Sequence, residues 1–154
     1  MNILKKYLPL AASIIALVAL TTVAMQFCVH PNKNVYPIQA FKAIFGIGCN
    51  FSFFNFLTYL LVAAGAVFCF TAYQEARSIV FNIVAAVLLI TAGILFLNVT
   101  DFTTVTLSSK VVVSASDVGY KLGAGAIIGS ICSFISAICV LISLIARKIP
   151  KKNC

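Results

Sequence analysis

Residues 122–146 read LGAGAIIGSICSFISAICVLISLIA, and this stretch decides the fold. Small residues fall at Gly125, Gly129, Cys132, Ser136, Cys139 and Ser143, a 4-3-4-3-4 spacing that puts them on one face of a helix. Ile127, Ile131, Phe134, Ile138, Leu141 and Ile145 take the opposite face. In water a segment apolar all round needs burial on every side. In a bilayer its bulky face meets lipid, and its small face lets another helix approach closely. A transmembrane helix with a preset helix-packing side is expected here.

The rest of the chain has the same character. Of its 154 residues 62% are hydrophobic and only 9% charged, far from the averages of soluble domains. A hydrocarbon core about 30 Å thick takes roughly 20 apolar residues per helix. Four runs qualify, at about 8–27, 53–73, 79–97 and 122–146. Outer loops at 28–52 and 98–121 are too short for a separate soluble domain, so residues 1–154 are expected to form a single integral membrane domain. The expected fold class is an all-α membrane protein, an antiparallel four-transmembrane-helix bundle with a short outer cap. The first run follows Lys5 and Lys6 but is longer than a signal-peptide core, and Ala24-Met25 is a poor cleavage site. It is expected to stay as a helix, with Pro9 in its first turn.

Charge gives the orientation. Lys5, Lys6, Arg77, Arg147, Lys148, Lys151 and Lys152 share one side in short segments, against Lys33, Lys42, Lys110 and Lys121 in the longer loops. The positive-inside rule puts both termini in the cytoplasm. The same bias, with attraction to anionic lipid, accounts for the net charge of +8. No basic stripe interleaved with exposed aromatics marks nucleic-acid binding, and the lipid bilayer is the expected partner.

The loops carry the individual features. In the first, His30-Pro31-Asn32-Lys33-Asn34 reads as a turn, and Ile38, Phe41, Ile44 and Phe45 then repeat at helical spacing. A short helix is expected there, on the membrane surface or tucked over the bundle, ended by Gly46 and Gly48. Phe41 and Phe45 either cap the bundle or form a partner patch. Cys28 and Cys49 bracket the loop and are candidates for a disulfide, left open because sequence does not fix the distance between their Cα atoms. In the second loop the Thr- and Val-rich pieces 103–107 and 111–114 flank Ser108-Ser109-Lys110 and favour a small β-hairpin.

Within the helices Ala12, Ala16 and Ala19 suggest a contact strip on the first. Thr58, Gly65, Cys69 and Ala72 mark a small face on the second, and Asn82, Ala86 and Gly93 share a side of the third. An intramembrane Asn is costly unless paired, so Asn82 should face another helix or reach water at the inner surface. Thr21 and Thr22 are expected to bond back to their own helix. Gln74-Glu75-Ala76-Arg77-Ser78 makes the second and third helices antiparallel neighbours, with Glu75 and Arg77 as a solvated pair. Asn50-Phe51-Ser52 and Asn98-Val99-Thr100 are glycosylation sequons pressed against helix ends, and Lys151-Lys152-Asn153-Cys154 has the form of a dilysine signal. Both signals are read as coincidental unless the source is eukaryotic.

Phe41-Lys42-Ala43-Ile44-Phe45-Gly46, the Phe-rich second helix, Ala92-Gly93-Ile94-Leu95-Phe96 and Leu122-Gly123-Ala124-Gly125-Ala126-Ile127-Ile128 resemble small uncharacterised four-helix membrane proteins of low-GC Gram-positive bacteria. That resemblance implies a bacterial plasma-membrane location and no activity. The layout is also similar to claudin-like tetraspan proteins, whose two outer loops share a small sheet. The claudin signature is absent, since the chain has no Trp and Cys28 and Cys49 stand 21 positions apart.

Three function classes follow. The preferred one is a non-enzymatic structural or interaction protein that forms a homo-oligomer or binds another membrane protein. The alternative is a small transporter or channel component, although Glu75, Asp101 and Asp117 all lie outside the four runs and supply no intramembrane acid for coupling. A membrane thiol or lipid enzyme comes third, because no C-x-x-C pair occurs. His30, the one histidine, has no carboxylate cluster beside it for a metal. No catalytic residue and no cofactor are expected.

Overall fold

The computed structural model describes residues 2–32, 34–74, 79–107 and 110–148, with side chains from Tyr7 to Ala146 within those ranges. The Glu75–Arg77 pair, Lys33, Ser108, Ser109 and the dilysine tail lie outside the described residues. The long helices are α1 (Asn2–Thr21), α3 (Phe53–Gln74), α4 (Ile79–Leu97) and α6 (Ala124–Lys148). Each is long and apolar enough to cross a membrane. They pack in a ring, α1 on α3, α3 on α4, α4 on α6 and α6 on α1, so every neighbour runs antiparallel. The connections between α1 and α3 and between α4 and α6 sit together at one end and form the cap.

The seams of the ring are built from small residues. Ala12, Ala16 and Ala19 of α1 are fully buried, as are Ala85 and Ala92 of α4, with Gly65, Cys69 and Ala72 buried on α3. Rings and branched side chains fill the gaps that glycine leaves. A Cβ on Gly129 would fall 2.8 Å from the Phe96 ring, one on Gly93 would fall 2.9 Å from the Phe134 ring, and one on Gly65 would fall 2.8 Å from Leu89. On α6 the structure buries Gly125, Gly129, Ser136 and Ser143, while Cys132 and Cys139 lie half-buried at the edge of the seam. Ile127, Ile131, Ile138, Leu141 and Ile145 are exposed, as a lipid-facing side requires. Phe134 departs from that face. Its ring is long enough to swing round the flank of α6 into the space above Gly93.

The first helix starts earlier and stops earlier than its apolar run. Pro9 therefore lies inside α1 and not in its first turn. The helix ends at Thr21 because the Thr21 and Thr22 hydroxyls turn back to the carbonyls of Val18 and Ala19, each at 2.7 Å, and β-branched residues there weaken helical continuation. A 3₁₀ turn (Thr22–Ala24) leads into strand β1 (Gln26–Val29).

The cap is consequently not all-α. β1 lies between β2 (Ile38–Gln39) and β5 (Lys121–Leu122) in a three-stranded antiparallel sheet. The expected hairpin is present as β3 (Thr104–Thr106) and β4 (Val112–Ser114), with Val105 opposite Val113. The short helix after Pro37 is α2 (Ala40–Phe45), closed by Gly46 at φ +73°. It buries Ala40, Ala43 and Ile44 and turns Phe41 and Phe45 outward, while Ile38 joins the sheet. A further short helix, α5 (Val99–Phe102), links α4 to the hairpin.

Gly123 joins cap and bundle. Its N–H donates to the Phe27 carbonyl at 2.6 Å, and a Cβ there would press into the backbone of Gln26 and Phe27. Backbone cannot rotate away as a side chain does. Gly123→Ala is expected to cost about 1–3 kcal/mol through overpacking, read as a lower melting temperature in detergent. An unchanged melt would show that the β1–β5 junction does not need the close approach.

Candidate functional site

Polar and titratable groups collect in the cap and directly beneath it. One such group is Asn55, fully buried in the first turn of α3. Its backbone N–H donates to Ser52 Oγ (3.3 Å), which caps the helix, and its Nδ2 donates to Thr103 Oγ1 (2.9 Å). Thr103 passes its own proton to the Val99 carbonyl (2.8 Å) and accepts from the Cys28 thiol (3.9 Å). One hydroxyl thus ties α3, α5 and β1 together. Asn55 Oδ1 finds no hydrogen-bond partner among the described residues. Neither Asn55 nor Thr103 stood out in the sequence, because a lone amide in a Phe-rich helix start gives no sign of an acceptor 48 residues away.

Beside this network Phe27, Tyr59 and Phe96 form an aromatic cluster. Phe27 stacks on Tyr59 at 5.7 Å, and both meet the Phe96 ring edge-on at 5.9 and 5.4 Å. Thr22 Oγ1 already donates to Ala19, so the Tyr59 hydroxyl donates to Thr22 Oγ1 at 3.0 Å. The cluster seals the bundle beneath the sheet.

The two loop cysteines are free thiols in the structure. Cys28 points to Thr103, and Cys49 donates to the Lys42 carbonyl at 3.3 Å. Burial pushes the Cys28 thiol up to about 11, with the nearby Cys49 adding to the rise and the Thr103 hydrogen bond opposing it. Burial also raises Cys49, against a smaller lowering by Lys42. Both are therefore protonated near neutral pH and weak nucleophiles.

His30 pins the two outer loops together. Its Nδ1 accepts from the Asn32 N–H (3.0 Å), which leaves Nε2 to donate to the Val118 carbonyl (3.1 Å), and its ring meets Tyr120 at 5.2 Å. Among the described residues no group of three His, Cys, Asp or Glu side chains is placed to hold a metal ion. Asn50 exchanges hydrogen bonds with Thr106, Nδ2 donating at 3.2 Å and Oδ1 accepting at 3.3 Å. A glycan on Asn50 would break that link to the hairpin. In α4, Asn82 is fully buried.

The Phe41 and Phe45 rings meet at 4.7 Å with a tilt of 47° and are 47% and 60% exposed, values that set them on the outside of the cap and not under it. They share the cap surface with exposed Tyr36, Ile47 and Phe51. No protein-family model, curated protein or solved structure matches the chain.

Thr103→Val keeps the shape and removes the acceptor shared by Asn55 and Cys28. A buried amide left without a partner costs about 1–3 kcal/mol, so the variant should melt earlier than wild type. Equal stability would mean that the Asn55–Thr103 bond does not hold the cap.

Proposed function

We propose that the chain is a non-enzymatic integral membrane protein whose four-helix bundle serves as a scaffold for its outer cap, and that the cap binds a second copy or another membrane protein. One observation carries this reading: the Phe41–Phe45 pair, rings in tilted contact, stands exposed on a helix whose opposite side is buried in the cap. Large apolar side chains clustered on an ordered surface are a signature of interaction sites. The weak nucleophilicity of both cap thiols speaks against thiol chemistry there. The residues of the four membrane-length helices include no Asp or Glu for ion coupling.

In this reading the cap faces outward and both termini are cytoplasmic, as in the plasma membrane of a bacterium. Seven of the eleven basic residues fall in the two ends of the sequence and in the segment between α3 and α4, which suits the positive-inside rule.

Chemical cross-linking in native membranes tests the proposal. Phe41→Ser with Phe45→Ser should abolish the wild-type cross-linked species while leaving the melting temperature within a degree or two. A wild-type protein that stays monomeric and moves a solute in reconstituted vesicles would overturn it.

A further inference from the structure

Between β2, the α2–α3 connection and the hairpin, the cap surface holds an open cavity of about 490 Å³, within the size range of small-molecule sites. Its charge is one-sided. Lys42 lines it, and neither of the described carboxylates does: Asp117 accepts from Ser114 Oγ and Asp101 lies on α5. Asn34 and Cys49 add polar groups, whereas Val35, Pro37, Ile38, Ile47 and Val105 supply apolar wall. Tyr120 closes one side, held by its ring contact with His30 and by its hydroxyl, which donates to the Tyr36 carbonyl at 3.4 Å.

The position adds to the chemistry. Lys42 projects from the same short helix as the exposed Phe41 and Phe45, and exposed Ile47 and Phe51 continue that apolar rim toward the start of α3. A cation set in an apolar rim at the end of membrane-length helices matches a molecule that is anionic at one end and apolar at the other. The exposed ammonium attracts an anionic group and repels a cationic one. We propose that this cavity binds an amphipathic anion, a phosphate or carboxylate group carrying an apolar portion, with the Lys42 ammonium as its counter-ion. The site shares the Phe41–Phe45 rim with the partner-binding reading, and the two are told apart by readout: cross-linking in Phe41→Ser with Phe45→Ser bears on the partner, and anion protection in Lys42→Gln bears on the cavity.

Cys49 is a reporter built into the cavity wall. The full-length protein is placed in phosphatidylcholine nanodiscs, and the alkylation of Cys49 by N-ethylmaleimide is followed by peptide mass spectrometry. Labelling of buried Cys28 monitors the fold. Replacing part of the lipid with phosphatidylglycerol, or adding decanoate, should slow Cys49 labelling several-fold relative to phosphatidylcholine alone. Protection by phosphatidylglycerol only identifies a lipid headgroup as the source of the anion, and protection by decanoate identifies a free amphiphile.

Because Lys42 also tunes the Cys49 thiol, each variant is compared with itself, with and without anion. Losing a charge-assisted hydrogen bond should weaken protection about tenfold in Lys42→Gln, while Lys42→Arg keeps it. Two results overturn the proposal: no protection by either amphiphile, or protection in Lys42→Gln equal to wild type with Cys28 still shielded. Should Lys42→Gln expose Cys28, Lys42→Arg decides, since loss of protection there with Cys28 shielded also overturns it.

Discussion

The ring of Phe96 lies over Gly129 and the ring of Phe134 over Gly93, so α4 and α6 interlock in both directions. Helices surrounded by lipid gain little from the hydrophobic effect when they meet, because the tails they leave are as apolar as the side chains they join. Dispersion across close contacts supplies the attraction instead, helped by interhelical hydrogen bonds such as that from Ser13 Oγ to the Ala66 carbonyl. Glycine opens the space and a rigid ring fills it, at small conformational cost. Phe96 then reaches beyond the bundle, meeting Phe27 of β1 and Tyr59 of α3. Phe27 in turn accepts the Gly123 N–H at the head of α6. One ring therefore links helix packing, the sheet and the start of the last helix.

Much of this was legible in advance, for reasons that differ by element. Length and uninterrupted apolarity specify a membrane-length helix, so α3 and α4 match the sequence reading to within a residue. The hairpin was visible through its Thr and Val runs. The sheet β2–β1–β5 was not, because its strands are two to four residues long and their partners are distant in sequence. Phe27, Cys28 and Val29 are as apolar as a helix end, and nothing local says that their backbone bonds go to Ile38 and Lys121. Phe134 misled for a related reason: helical spacing gives the direction of its Cβ, not the reach of a ring into a gap left by Gly93.

Chemistry and packing are divided between the two ends of the fold. The bundle interior holds alanine, glycine and serine, with hydroxyls such as Ser13 and Ser133 spent on backbone carbonyls. The cap holds the histidine, the exposed aromatics, the Lys42 cavity and two protonated thiols. Irregular backbone belongs there as well, since its N–H and C=O groups find partners in a compact set of strands and turns. The small-residue stripe of α6 is accordingly an internal seam, buried where α6 packs on α1 and α4.

A double-mutant cycle on the α4–α6 interlock tests that claim most directly. Gly129→Leu should collide with Phe96 and lower thermal stability sharply in detergent or bilayer, and Phe96→Ala in the same chain should recover part of the loss, giving a coupling of about 1–3 kcal/mol. If Gly129→Leu instead melted like wild type and only lost an oligomer, the stripe would be an outward-facing contact and the account would be wrong.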